Sequence, residues 1–113
     1  MRQVLVVLVS ALLVLTACAG PTPEVPVGAD GESDPVLILG RGVYGETCKR
    51  CHGSSGDGGS GPKLTSSDFD EDFPELSDVV EIISQGRKRM PAYSSALTPE
   101  QIEAVARYVR EVL

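Results

Sequence analysis

The chain has 113 residues, enough for one domain and too few for two. A core of this size is marginal by itself, and the sequence has few aromatic side chains to fill it, with no Trp, two Phe and three Tyr. A bound apolar group would make up that deficit. The formal net charge of −6 argues against a nucleic-acid partner, because phosphate backbones attract basic surfaces.

Residues 1–17 are predicted to be a signal peptide. Arg2 precedes an apolar run over residues 4–15, which is shorter than the roughly 20 residues that a membrane span needs. The run ends in Leu15-Thr16-Ala17-Cys18, which resembles the lipobox of bacterial lipoproteins. The resemblance implies cleavage before Cys18 and lipid on its thiol, which would anchor the protein to the outer face of the bacterial cytoplasmic membrane. The alternative is an ordinary cleaved signal or an uncleaved anchor, with Cys18 incidental.

Residues 18–35 are predicted to form a lipid-anchored flexible tether. Four prolines and three glycines lie between residues 19 and 35, and no apolar periodicity runs through them. Such a composition is typical of disordered, partly extended chain. The folded domain is therefore expected over residues 36–113.

Three helical patterns and no strand pattern follow in residues 36–113, so an all-α domain is expected. Helical spacing in the first pattern joins Leu37, Gly40, Arg41, Tyr44 and Cys48. A glycine-rich loop over residues 53–61 separates it from the second pattern. In the second pattern, an apolar stripe is formed by Leu76, Val79, Val80 and Ile83. Ser77 is the expected N-cap of this helix, and Gly86 is its expected end.

The third helical pattern has the clearest start signal. Thr98 is a suitable N-cap, Pro99 suits the first helical position, and Gln101 completes a capping box. One face of this helix is predicted to be buried, and it comprises Ile102, Val105, Ala106, Val109 and either Val112 or Leu113.

The candidate cofactor site is the CxxCH segment of Cys48, Cys51 and His52. On one helical turn these three side chains lie on one face. Two thiols can then bond to the vinyl groups of one haem while the imidazole binds the iron, so the spacing is typical of c-type haem attachment. Structural zinc, a thioredoxin-like redox pair and a disulfide are the alternatives. Zinc would need a further Cys or His ligand, and the only other cysteine is Cys18.

Met90 is the candidate for the second axial iron ligand. The chain has a single His and two Met residues, and Met1 would leave with the signal peptide. Met90 lies between Arg89 and Pro91, a poor context for a methionine that only fills a core. A lysine ligand or an open sixth position are the alternatives.

These motifs together resemble the class I mono-haem cytochrome c family over about 78 residues, essentially the whole of residues 36–113. The matching motifs are Gly40-x-x-x-Tyr44, the CxxCH segment, Gly61-Pro62-Lys63-Leu64, Met90-Pro91-Ala92 and the last helix with Tyr108. The resemblance implies three main helices and loops around one covalent haem c. It also implies that Gly40 and Tyr44 pack against the face of the last helix that carries Ile102, Val105 and Val109, with Tyr108 as an optional further member. The backbone carbonyl of Pro62 is implied to accept a hydrogen bond from His52.

A six-coordinate iron held by His and Met has no open position for a substrate, so an electron carrier rather than an enzyme is expected. Expected partners are redox proteins, docking through acidic residues on a basic surface formed by Lys49, Arg50, Arg87, Lys88 and Arg89. Two alternatives remain. The domain could be a haem subunit of a larger oxidoreductase, or a haem-based sensor or peroxidase-like protein if Met90 leaves the iron.

Overall fold

The computed structural model describes residues 20–113. These residues form five α-helices and one short π-helix: α1 (Pro35–Val43), the π-helix (Tyr44–Cys48), α2 (Lys49–His52), α3 (Ser67–Asp72), α4 (Leu76–Gln85) and α5 (Pro99–Glu111). Within residues 20–113 there are two isolated β-bridges and no β-strand, so the predicted all-α class is confirmed. The predicted signal peptide and Cys18 lie outside the described residues. No helix in residues 20–113 is long and apolar enough to cross a membrane.

Helices α1 and α5 cross at Gly40. A Cβ at Gly40 would lie 2.1 Å from the carbonyl oxygen of Ala104 and 2.8 Å from the Cβ of Tyr108, so only glycine lets the two backbones approach this closely. Beside the crossing, the rings of Tyr44 and Tyr108 are fully buried, with their centroids 5.6 Å apart. The expected packing of Gly40 and Tyr44 against the last helix is therefore present.

The stripe of α5 that receives α1 matches the expected face only at Tyr108. Gly40 approaches Ala104 and Tyr108, whereas Val105 and Val109 line a cavity on the adjacent side of the helix. Consecutive residues of an α-helix are rotated by about 100°, so these two pairs form neighbouring stripes. Helix α5 thus packs on α1 with one stripe and on α4 and the cavity with the next.

The chain before α1 packs onto the helices, which corrects the prediction of a flexible tether reaching residue 35. Residues 22–33 are here called the N-terminal strap. The carbonyl oxygen of Pro23 accepts hydrogen bonds from the Tyr108 hydroxyl at 2.6 Å and from the Arg41 Nε at 2.9 Å. Arg41 also donates to the carbonyl of Thr22 at 2.9 Å and pairs with Glu24. Within residues 20–113, packing onto the helices is therefore present from residue 22 onward and not only from residue 36.

The far end of the strap is fixed as well. Val25 is buried in the hydrophobic core, and Val27 forms an antiparallel bridge with Ser33. Asp34 then caps α1, because its carboxylate accepts from the Val36 N–H at 2.8 Å. The same carboxylate pairs with Arg107 of α5 at 3.0 Å. Asp34 thus ties the strap, the start of α1 and α5 together.

The predicted start of α5 is confirmed, and the predicted N-cap of α4 is wrong. Thr98 Oγ1 accepts from the Gln101 N–H at 3.2 Å, and Gln101 Oε1 accepts from the Thr98 N–H at 2.9 Å. Helix α4 begins one residue before Ser77, and its N-cap is Glu75, whose N–H donates to the Asp78 carboxylate at 2.9 Å. Gly86 ends α4 as expected, with φ 70°.

No sequence pattern predicts α3, a six-residue helix rich in acidic residues. Its N-cap is Ser66, whose hydroxyl accepts from the Phe69 N–H at 3.3 Å. The rings of Phe69 and Phe73 pack with their centroids 5.2 Å apart. Arg110 of α5 donates to the carbonyls of Phe73 and Pro74, so long-range contacts hold this short helix in place.

Candidate functional site

The CxxCH segment spans a change in helix type. Cys48 ends the π-helix, whereas Cys51 and His52 lie in α2. The N–H of Lys49 bonds to the carbonyl of Tyr44, five residues earlier instead of four. Such a wider turn is common at functional sites, because it rotates the following side chains relative to the helix before it. The change in helix type therefore turns the cysteines and the histidine away from the direction that α1 alone would set.

His52 is buried, with 8% of its surface exposed, and its ring is held by the chain. The Nδ1 atom lies 2.8 Å from the carbonyl oxygen of Pro62, the contact that the resemblance implies. A carbonyl oxygen can only accept, so Nδ1 carries a proton and donates it to this contact. The contact fixes the ring and leaves Nε2 as the nitrogen that can coordinate a metal.

The glycine-rich loop wraps around the backbone of this histidine. The N–H of Gly58 donates to the His52 carbonyl and the N–H of Gly61 to the Cys51 carbonyl, each at 2.8 Å. A Cβ at Gly61 would lie 3.1 Å from His52 Cε1 and 3.2 Å from Nδ1. Glycine at this position therefore lets the loop contact the imidazole directly and present the next residue's carbonyl to it.

A cavity of about 950 Å³ opens next to the CxxCH segment. Cys48, Cys51, His52 and Met90 all border it. The walls are mainly apolar and comprise Leu64, Phe69, Phe73, Val79, Ile82, Ile83, Pro91, Tyr93, Val105 and Val109. Ligand pockets usually measure about 300–1,000 Å³, so this cavity is large enough for a sizeable organic group.

Met90 is presented by a tight turn over residues 87–90. The N–H of Arg87 donates to the Met90 carbonyl at 3.0 Å, and the N–H of Met90 donates to the Arg87 carbonyl at 2.9 Å. Lys88 within the turn has φ 55°, a left-handed conformation that costs a non-glycine residue about 1–2 kcal/mol. After Met90, the N–H of Tyr93 bonds to the carbonyl of Ile83 at 3.0 Å. Before the turn, the N–H of Gly86 bonds to the carbonyl of Ile82 at 2.8 Å, so the loop that carries Met90 is held to α4 on both sides.

Gly86 makes this turn possible. Its φ of 70° is unfavourable for other residues. A Cβ there would also lie 2.6 Å from both the Met90 carbonyl oxygen and the Ala92 nitrogen. Gly86 is thus required twice, once for its backbone conformation and once for the close approach of the methionine loop.

Both basic and acidic exposed side chains line the cavity. The predicted basic residues Arg87, Lys88 and Arg89 line the cavity and are exposed, as is Lys63, while Asp68 and Asp72 of α3 also line it. Lys49 and Arg50 are exposed on α2 and are not among the residues that line the cavity. Of the predicted basic surface, residues 87–89 therefore lie at the cavity mouth, whereas Lys49 and Arg50 lie outside the cavity lining.

Two cavity residues titrate away from their ordinary range because they are withdrawn from water. Burial, reinforced by the neighbouring Cys51, raises the pKa of the Cys48 thiol to about 11. Burial also raises the pKa of the Tyr93 hydroxyl. Both groups are therefore neutral at pH 7, in keeping with the apolar character of the cavity.

The residues around the cavity fit a covalently attached haem. Two thiols that are not paired with each other, a histidine with a free Nε2 and a methionine sulfur all border one apolar space. Structural zinc needs a cluster of nitrogen, sulfur or carboxylate ligands. Residues 20–113 contain no group of three or more His, Cys, Asp or Glu side chains arranged to hold a metal ion.

Several residues of this site had no predicted role in it. Phe69 and Phe73 form part of the cavity wall, and Gly86 shapes the methionine loop. The one available signal for the wall was the pair of phenylalanines four residues apart in an otherwise acidic stretch, which places both on one helical face.

Comparison with known proteins agrees with this chemistry. The matching family model is described as "Cytochrome C oxidase, cbb3-type, subunit III" and covers residues 37–109. The chain is 34% identical over 83 residues to the "Cbb3-type cytochrome c oxidase subunit FixP" of Sinorhizobium medicae (strain WSM419), a match over 65% of this chain and 29% of that protein. It thus spans less than a third of the length of that relative.

A second relative is of more similar size. The chain is 34% identical over 74 residues to cytochrome c6 of Gloeothece citriformis (strain PCC 7424), covering 64% of this chain and 67% of that protein. Among solved structures, cytochrome cL of the marine bacterium Methylophaga aminisulfidivorans MPT matches with a TM-score of 0.61 and 25% identity, over 68% of this chain and 53% of that one.

The helical fold, the CxxCH segment beside an apolar cavity and the family match over most of the chain lead to one assignment. Cytochrome c domains bind covalent haem c and transfer electrons, and Cys48, Cys51 and His52 fit the attachment motif. The chain belongs to the cytochrome c family, in the group described as cbb3-type cytochrome c oxidase subunit III.

Proposed function

We propose that this protein is a membrane-tethered mono-haem cytochrome c that shuttles single electrons between redox partners at the outer face of the bacterial cytoplasmic membrane. The observation that carries the proposal is that His52 and Met90 border the same apolar cavity as the two cysteines of the CxxCH segment. In the proposed site, Cys48 and Cys51 form the two thioether bonds, and His52 and Met90 are the axial ligands. The haem supplies the one-electron chemistry.

The protein's own residues set the properties of the site. The Pro62 carbonyl fixes the tautomer of His52 and makes its Nε2 more basic. A thioether ligand in an apolar cavity favours the reduced state of the iron more than a second imidazole would. The methionine loop is held to α4 before and after Met90, so little reorganisation is expected when the charge of the site changes.

The role of Met90 can be tested by Met90→Leu, which keeps an apolar side chain of similar size and removes the sulfur. The wild-type ferric protein should show the weak long-wavelength absorption band typical of methionine-ligated haem c, and the ferrous protein should not bind carbon monoxide. Met90→Leu should lose the band and bind carbon monoxide. A wild-type protein that binds carbon monoxide would contradict the proposal and favour a haem sensor or a peroxidase-like protein.

Docking of acidic partners at the cavity mouth is part of the proposal. Within residues 20–113, the basic side chains Arg41, Arg107 and Arg110 form ion pairs with carboxylates. In the described part of the chain, the basic side chains without such a pair are those at or beside the mouth: Lys49, Arg50, Lys63, Arg87, Lys88 and Arg89. Charges that are not used inside the fold are available to steer a partner, and such steering weakens with salt.

The matched test of docking keeps the net charge equal in two variants. Arg87→Gln, Lys88→Gln and Arg89→Gln together remove three positive charges at the mouth. Ser77→Glu, Gln85→Glu and Ser95→Glu together add three negative charges at exposed positions that do not line the cavity. Electron transfer to an acidic redox protein at low salt should slow in the first variant and remain near wild type in the second. Equal rates in the two variants would refute docking at the mouth.

A permanent place in a larger oxidoreductase is the second candidate. It is favoured by the family description and by the match to an oxidase subunit, although the chain spans 29% of that relative. Purification from the native membrane in mild detergent distinguishes a free carrier from a permanent subunit. A free carrier should elute by itself, whereas a subunit should co-purify with the other subunits in fixed stoichiometry.

A further inference from the structure

Helix α1 has an outer face without charge, which is unusual for the surface of an acidic protein. Arg41 is the single charged residue in the helix, and its guanidinium is bound by the N-terminal strap. The buried residues of α1 are Leu37, Gly40 and Val43. The opposite face comprises Pro35, Ile38, Leu39 and Gly42, all of which are exposed.

The exposed large hydrophobic side chains of residues 20–113 all lie in this region. Ile38 is 53% exposed, Leu39 41% and Val36 38%, and Val27 in the strap is 67% exposed. Scattered apolar residues on a protein surface need no explanation, but a concentration of them on one helix and its neighbouring segment marks an interaction surface.

The position of the strap indicates what covers this surface. Cys18, the proposed lipid attachment site, precedes Thr22 by four residues, and four residues span at most about 14 Å. Thr22 is fixed beside α1, because its carbonyl oxygen accepts a hydrogen bond from the Arg41 side chain. Its Oγ1 atom also lies 3.8 Å from the position that a Cβ would take at Gly45, in the π-helix that follows α1. Arg41 and Ile38 are three residues apart and therefore neighbours on the helix surface. A lipid on Cys18 would thus be held within one short span of the outer face of α1.

We infer that the outer face of α1, with Ile38 and Leu39 at its centre, rests on the lipid bilayer when the protein is anchored through Cys18. The inference deepens the proposed function and rests on its lipid anchor. The contact is apolar rather than electrostatic, because Arg41, the one basic residue of α1, is already paired with Glu24. The anchored domain then has one preferred orientation, instead of sweeping over the membrane on a long tether.

This orientation suits electron transfer. Helix α5 packs on α1 with the stripe of Ala104 and Tyr108 and turns Val105 and Val109 toward the cavity. With α1 on the membrane, the cavity opens on a side of α5 adjacent to the one that meets α1. The exposed basic residues 87–89 line the cavity and are not part of the outer face of α1, so a soluble partner can still reach them.

The test measures membrane depth in the anchored holoprotein. Ile38→Cys and Leu39→Cys are made singly in the full chain, carried through export and haem attachment, and reconstituted in phosphatidylcholine vesicles. The thiols of Cys48 and Cys51 are consumed by haem and that of Cys18 by lipid, so a nitroxide reagent labels only the new thiol. Matched controls carry the label at the exposed α4 positions Glu81→Cys and Gln85→Cys.

Oxygen concentrates in the bilayer, and a polar nickel chelate stays in water. The ratio of their collision rates with the label should be severalfold higher at residues 38 and 39 than at residues 81 and 85. Equal ratios at all four positions would refute the membrane contact. Labels at 38 and 39 shielded from both reagents would also refute it, because they would indicate a protein partner or a second copy instead.

Intact-protein mass separates this failure from failure of the proposed anchor. A mass that includes the lipid, together with water-exposed labels, would overturn the orientation and leave the anchor standing. A mass without lipid would overturn the anchor, and the inference would fall with it.

Discussion

The Tyr108 hydroxyl lies 2.6 Å from the carbonyl oxygen of Pro23 and thereby joins the last helix to a segment 85 residues earlier in the chain. The same carbonyl oxygen accepts from Arg41 Nε at 2.9 Å. The Pro23 carbonyl oxygen therefore connects the strap to both α1 and α5. One variant of each donor residue can measure how much each hydrogen bond contributes to stability.

Tyr108→Phe should destabilise the protein only modestly, by about 1 kcal/mol, because Pro23 keeps Arg41 as a donor. Arg41→Met removes the contacts to Thr22, Pro23 and Glu24 together and should cost about 1–3 kcal/mol. Urea unfolding of the holoprotein gives both values. Arg41→Met should also make the strap sensitive to a glutamate-specific protease at Glu24 and Glu32, and strap cleavage no faster than in wild type would contradict this account of the strap.

Two glycines of α1 provide a matched pair at the helix crossing. Gly40→Ala places a Cβ against the Ala104 carbonyl oxygen and should cost about 3 kcal/mol or more, because the two backbones must separate. Gly42→Ala meets nothing within 4 Å and should stabilise the protein by about 0.5–1 kcal/mol, since alanine favours the helix. Thermal unfolding of the two holoproteins measures both effects, and similar melting temperatures would refute the close crossing.

Gly86→Ala should displace the methionine loop. The new Cβ would press on the Met90 carbonyl and the Ala92 nitrogen, and φ 70° would be strained for alanine. We expect the long-wavelength band of the ferric protein to weaken or disappear while the covalent haem remains. Lys88→Gly is the control in the same turn, because its φ of 55° suits glycine, and it should retain the band. Retention of the full band in Gly86→Ala would show that the loop does not depend on this glycine.

Asp34 makes stability depend on acid. The N–H of Val36 and then the side chain of Arg107 hold the pKa of its carboxyl below the ordinary value. The contribution of this lowered pKa to stability is therefore fully present above the ordinary pKa of about 4 and is lost as the pH falls through the lowered value. Asp34→Asn keeps an N-cap side chain and loses the charge, so its urea midpoint should fall less steeply with acid than that of wild type. Equal acid dependence in the two proteins would contradict this role.

The local signals in the sequence were sufficient for much of the fold. The capping box of Thr98 and Gln101 defined the start of α5, because both partners lie within one turn. The spacing of Cys48, Cys51 and His52 indicated haem attachment for the same reason. The single remaining methionine pointed to Met90, which the structure brings to the cavity beside that segment.

Two segments whose structure depends on contacts with distant residues, the N-terminal strap and helix α3, were not predicted from the sequence. The strap looked like a tether, because four prolines and three glycines without apolar periodicity resemble disordered chain. Its order comes instead from backbone carbonyls that accept from Arg41 and Tyr108, and a carbonyl leaves no trace in the pattern of side chains. Helix α3 is held by Arg110, about 40 residues later in the chain, and by the packing of Phe69 on Phe73.

The sequence alone thus determined the all-α class and the cofactor, since both depend on side-chain types at close spacing, and it predicted the residues that would bind that cofactor. The tertiary structure alone decided where the folded unit begins, which stripe of α5 meets α1, and how Gly61 and Gly86 shape the two sides of the cavity. Those features depend on backbone atoms that meet across long stretches of chain, and only the packed fold brings such atoms together.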